Sequence, residues 1–107
     1  NKNEWIEISF DESIPLSCVW LTASENSNLF PLKYSIEVFV DDSWLTVADS
    51  TGREQPENFE TYVFNFETIK TQKFRISVTG MPKTKNSYYM EIAEIGAFSY
   101  PMAIEVK

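Results

Sequence analysis

Leu32 to Asp49 reads LKYSIEVFVDDSWLTVAD, and its pattern decides the fold class. Tyr34, Ile36, Val38 and Val40 alternate with Ser35, Glu37 and Phe39. The cluster Asp41-Asp42-Ser43 interrupts the run, and Trp44-Leu45-Thr46-Val47 resumes it. A period of two, enrichment in β-branched and aromatic residues and a three-residue polar break predict a β-hairpin.

The same period recurs on both sides of the hairpin. In 5–10, Ile6, Ile8 and Phe10 share one face, with Trp5, Glu7 and Ser9 on the other. A loop is expected over 11–16 because Pro15 breaks it, and a second strand over 17–23. The stretch 24–31, SENSNLFP, is turn-rich. After the hairpin, 49–60 (DSTGREQPENFE) is the most polar segment and reads as a long loop. Strands are expected over 61–66, with Tyr62, Phe64 and Phe66 on one face, and over 73–79, with Phe74, Ile76 and Val78 inward. A connection over 67–72 should join them. A loop over 80–87 leads to a final strand region, 88–100, whose order EIAEI at 91–95 suggests a bend or bulge. No segment carries a helical repeat of ten or more residues. Short strands separated by turn signals predict an all-β, antiparallel sandwich.

With 107 residues the chain is long enough for one domain and too short for two. A chain of this size can bury roughly 65% of its unfolded surface. Residues 1–100 are read as the domain and 101–107 as a tail or extra strand. The net charge of −7 argues against nucleic acid as a partner and opposes anionic membrane surfaces. The single cysteine, Cys18, excludes an internal disulfide and reads as a small buried hydrophobe. The absence of histidine excludes metal catalysis by imidazole ligands. Asp41-Asp42, and Glu91 with Glu94, could suggest paired catalytic carboxylates. The first pair reads more simply as a solvated turn, where Asp is favoured for backbone reasons. There is no serine-centred nucleophile motif and no Cys–His pair, so no enzyme is expected.

Five segments in this order resemble the discoidin family, also called the coagulation factor five/eight type C domain family. They are WIEISF at 5–10, VWLTAS at 19–24, YSIEVFVDDSWLTVAD at 34–49, KFRISVTG at 73–80 and IAEIGAF at 92–98. None is specific alone, but together they span nearly the whole chain. The resemblance implies an eight-stranded jelly-roll sandwich. Members usually carry a further stretch before the Trp-led strand. Without it, an unpaired edge strand is expected to be exposed.

The resemblance also implies a function. Carbohydrate-binding members stack an aromatic ring on a pyranose and bond its hydroxyls from loops at one end of the sandwich. By position, the ligand-binding candidates are Tyr88, Tyr89 and Asn86, then Asn26, Asn28 and Phe30, with Arg53 in the long polar loop. Each has a plainer reading: the tyrosines as packing at a strand start, Phe30 as a loop anchor and the asparagines as turn residues. Members often hold a structural calcium ion, which places a metal-ligand role on Glu94. Calcium takes six to eight oxygens, which Glu94 alone cannot supply.

The expectation is therefore a non-catalytic glycan-binding accessory module of a secreted bacterial glycan-active protein, joined to neighbouring domains. Its alternative is a sandwich that braces a larger enzyme and has no ligand of its own. Lipid insertion through Leu29-Phe30 and Met81-Pro82 is the third option, disfavoured by the negative charge.

Overall fold

The computed structural model describes residues 4–84, 87–88 and 90–99. It contains β1 (Glu4–Thr22), β2 (Lys33–Val40), β3 (Ser43–Asp49), β4 (Thr61–Gly80), β5 (Lys83–Thr84), β6 (Ser87–Tyr88) and β7 (Glu94–Ser99). A five-stranded sheet in the order β3-β2-β4-β1-β7 is antiparallel throughout, and β5 pairs with β6. The fold is an all-β, antiparallel jelly-roll sandwich.

Two long strands make one sheet into two layers. The early residues of β1 pair with the late residues of β4 (Glu4 opposite Val78, Ser9 opposite Lys73). The late residues of β1 pair with the early ones of β4 (Ile14 opposite Thr71, Thr22 opposite Thr61). Between these blocks β1 advances from Ser9 to Ile14 while β4 advances only from Thr71 to Lys73, and a second register shift follows between Leu16 and Cys18. Such bulges bend strands and let them pass from one sheet layer to the other. The first half-sheet holds β3, β2, late β4 and early β1; the second holds early β4, late β1 and β7.

The loop expected over 11–16 and the connection expected over 67–72 thus lie inside β1 and β4. Pro15 is tolerated because it sits beside the bulge, where the ladder is already interrupted. Neighbouring side chains bond the backbone at the bend. Gln72 Nε2 donates to the carbonyls of Phe10 (3.3 Å) and Asp11 (3.4 Å). Thr71, 2% exposed, donates through Oγ1 to Phe39 O at 2.6 Å. The described residues accordingly form seven strands where the resemblance implied eight.

The hairpin of β2 and β3 forms as its pattern predicts, but with a tighter turn. Val40 pairs with Ser43, so the loop is only Asp41-Asp42. Both have positive φ, 52° and 62°, the geometry whose twist matches that of the flanking strands.

Inward residues from both layers build one core. Tyr34, Ile36, Val38, Phe74, Ile76 and Val78 come from the first half-sheet, and Leu16, Val19, Leu21 and Phe64 from the second. Tyr34 and Phe64 meet edge-to-face across the sandwich at 5.9 Å. Cys18 is only half-buried, because it falls on the outward parity of β1. Burial still raises its thiol pKa. On that outward side the Trp20 indole lies over Gly96, where an added Cβ would fall within 2.0 Å of the ring. Early β1, with Trp5 58% exposed, pairs only with β4 among the described residues.

Candidate functional site

Three segments meet at one end of the sandwich: 23–32, 50–60 and 90–93. Backbone bonds join them, from Phe59 N to Ser24 O (3.2 Å), Ala23 N to Glu60 O (2.9 Å) and Glu91 N to Leu29 O (2.8 Å). Side chains complete the lattice. Glu91 Oε1 accepts from Ser24 Oγ at 2.7 Å and from Asn26 Nδ2 at 3.3 Å. Asn58 Oδ1 accepts from Ser27 N at 3.1 Å. Gln55 Nε2 donates to Ser27 O at 3.2 Å and Phe30 O at 2.9 Å. These bonds hold the short 3-10 turn Ser27–Leu29 and present its polar groups to solvent.

The anticipated residues separate into several groups here. Asn26 is exposed but structural as well, because its amide donates to Glu91 and its carbonyl accepts from Leu29 N. Asn28 is exposed in the middle of the 3-10 turn. Arg53 is exposed, yet tied to β4. It donates from Nη2 to Val63 O at 2.9 Å, and its guanidinium lies 4.4 Å from the Phe64 ring centre and 5.0 Å from that of Tyr62. Asn86, Tyr89 and the side chain of Tyr88 lie outside the described residues.

For Phe30 the ligand-binding reading is corrected and the loop-anchor reading holds. It is 1% exposed and packs edge-to-face against Tyr34 (5.7 Å) and Tyr62 (6.2 Å). Its ring anchors the loop in the core and offers no face to a ligand. The residues considered for lipid insertion are withdrawn in the same way: Met81 is 7% exposed, Pro82 is buried and Leu29 is half-buried.

Glu94 is the residue to which the resemblance gives a calcium-ligand role. It is exposed at the start of β7, opposite Thr22, and no group of three or more His, Cys, Asp or Glu side chains suited to a metal ion exists among the described residues.

Sequence reasoning missed Phe59. It is 65% exposed, with a φ of 65°, an uncommon backbone state for a bulky residue. The turn that holds it is closed by Glu60 N to Glu57 O (3.0 Å) and Glu57 N to Glu60 Oε1 (2.8 Å). Its signal was present as the only aromatic residue in the most polar loop of the chain. Strain of this kind persists where the surroundings over-determine it, and it concentrates at binding sites.

Titration at this end is dominated by burial. Tyr34 is pushed up to about 12 by burial, partly offset by the nearby Arg53 guanidinium. Tyr62 is also raised by desolvation, and its hydroxyl donates to Glu54 O at 2.7 Å. No described helix is long and apolar enough to cross a membrane.

Comparison with known proteins adds a family and a set of folds. The family described as the F5/8 type C domain matches residues 1–95. A search of curated proteins finds no match. Among solved structures, chitosan-binding module 1 from a chitosanase/glucanase of Paenibacillus sp. IK-5 is similar, with a TM-score of 0.72 and 17% identity. That match covers 92% of this chain and 70% of the module. A putative alpha-L-fucosidase of Bacteroides thetaiotaomicron VPI-5482 gives a TM-score of 0.69 at 16% identity. There the match covers 91% of this chain but only 20% of the fucosidase.

Proposed function

Because the chain belongs to the F5/8 type C domain family, we propose that it is a non-catalytic glycan-binding module of a larger, secreted glycan-active protein. The observation that carries this reading is Phe59, a solvent-facing ring fixed at positive φ beside the hydrogen-bonded lattice of Ser24, Asn26, Asn58 and Glu91. An exposed ring supplies a stacking platform for the apolar face of a pyranose, and the surrounding amides and carboxylates supply partners for its hydroxyls. The similarity to a chitosan-binding module supports the same class of ligand.

Charge narrows that class. The loops at this end carry Glu25, Glu54, Glu57, Glu60 and Glu91 against Arg53, with Lys83 and Lys85 in the adjoining stretch 81–89, within a chain of net charge −7. Such a surface favours amino sugars over uronic acids. Single-site affinity is weak, and tethering to a second module or to an enzyme raises it through effective concentration.

A glycan array of the folded chain, repeated with Phe59→Ala, tests the reading. Discrete hits on amino-sugar oligomers that vanish in the variant are expected. A blank array from folded protein would replace this reading with a bracing role.

A further inference from the structure

We propose a second saccharide-contacting surface, distinct from the lattice of Ser24, Asn26, Asn58 and Glu91, on the outer face of the first half-sheet and reaching to the start of the 50–60 connection. Its parts are Trp5 as a stacking platform and a polar groove lined by Lys33, Ser35, Asp49, Thr51 and Thr79. The inference rests on the glycan-binding reading above and extends it from one contact point to a chain that also engages a sheet face.

The strand register places these parts together. Trp5 lies opposite Ser77, Ser77 opposite Ser35, and Ser35 opposite Asp49, so one row of outward residues crosses four strands. Three strand spacings of ~4.8 Å separate its ends by about 14 Å. Two serines fill the middle of the row, and their small size leaves room above the sheet. A groove of about 470 Å³ opens at this end of the face, lined by the five groove residues together with Leu32, Tyr34 and Ser50.

The groove is braced. Ser50 N donates to Tyr34 O at 2.9 Å, and Tyr34 N donates to Ser50 Oγ at 3.1 Å. Thr51 N donates to Asp49 Oδ1 at 2.9 Å, which holds the carboxylate in place. Hydroxyls, one carboxylate and one ammonium converge there, a donor and acceptor mixture suited to sugar hydroxyls.

The platform is braced as well. The Arg75 guanidinium lies 5.6 Å from the Trp5 ring centre and 4.1 Å from that of Trp44. Its Nε donates to Glu37 Oε1 at 2.6 Å, and Ser35 Oγ donates to the other oxygen of that carboxylate at 3.2 Å. A continuous contact network thus runs from Trp5 through Arg75 and Glu37 to Ser35 at the groove. Trp5 remains 58% exposed, with ring surface available to a pyranose.

A two-dimensional NMR titration of the chain with a glucosamine hexamer tests the proposal, read at the Trp5 indole N–H and the backbone amides of Ser35, Asp49 and Thr51. These resonances are expected to shift in saturable fashion, and to keep shifting in Phe59→Ala. Trp5→Ala and Asp49→Asn should each weaken this response at least fivefold while the loop amides continue to titrate. Asp49→Asn preserves shape, so it serves even if Trp5→Ala perturbs the edge strand. Shifts confined to Ser24, Asn26, Asn58 and Phe59 and lost in Phe59→Ala would overturn the second surface and leave the glycan-binding reading intact. No shift anywhere would overturn both.

Discussion

The loop-bearing end and the outer face of the first half-sheet both display aromatic rings, but they hold them by different means. On the sheet face, side chains support the rings. Arg75 lies over Trp44 and near Trp5, while the Lys73 ammonium stands 4.4 Å from the Phe39 ring centre. Phe39 and Trp44 meet at 5.1 Å across the hairpin. At the loop end the backbone does the positioning: Phe59 is exposed by a left-handed residue in a turn, and Phe30, in the neighbouring loop, is driven into the core. Rings on strands inherit their direction from the pleat, whereas rings in loops take theirs from the bonds that close the loop.

The largest expected effect tests the division inside the loop end. Phe30→Ala should lower unfolding free energy by about 3–5 kcal/mol, because it empties a site shared by Tyr34 and Tyr62. Phe59→Ala should change stability by no more than about 0.5 kcal/mol, since the ring is mostly in water. Urea denaturation of both variants reads the difference. Similar losses would erase the contrast between anchor and exposed ring.

The next effect tests whether side chains support the sheet-face rings. Arg75→Met should cost about 1–2 kcal/mol, through loss of a partly buried charge-assisted bond to Glu37 and of stacking on Trp44. Arg75→Lys keeps the charge but not the planar fork, so it should recover only part of the loss. Full recovery in thermal melts would reduce the interaction to simple charge.

The smallest effect concerns Tyr34, whose buried hydroxyl has no hydrogen-bond partner among the described residues. Tyr34→Phe should stabilise the protein by about 1 kcal/mol. Its pKa is raised from 10.0 to about 12 in the fold. Both folded and unfolded chains are therefore protonated at this site below pH 10. Between pH 10 and 12 the unfolded chain ionises first, so this contribution to stability falls as pH rises. Tyr34→Phe should flatten that alkaline decline, and an unchanged slope would assign the decline to other groups.

What was legible in the sequence follows the same division. Period two identified the hairpin, the inward rows Tyr34-Ile36-Val38 and Phe74-Ile76-Val78, and the outward placing of Trp5. It could not show that β1 and β4 run unbroken past Pro15 and Thr71, because that continuity depends on a bulge and on bonds from Gln72 and Thr71. The loop site was only partly legible. Asn26, Asn28 and Arg53 do lie exposed in the loops, but Phe30 takes its plainer reading as a loop anchor, and the exposed ring is Phe59, which carried no assignment. No period governs a loop, and the bonds that orient it come from residues distant in sequence, such as Glu91 and Asn58.

The central claim is that the loop end binds a glycan through Phe59. Isothermal titration calorimetry of the folded chain with a glucosamine hexamer tests it most directly. The account predicts saturable binding and at least a tenfold loss in Phe59→Ala, about 1.4 kcal/mol, with unchanged thermal stability. Absence of binding, or equal affinity in the variant, would contradict it.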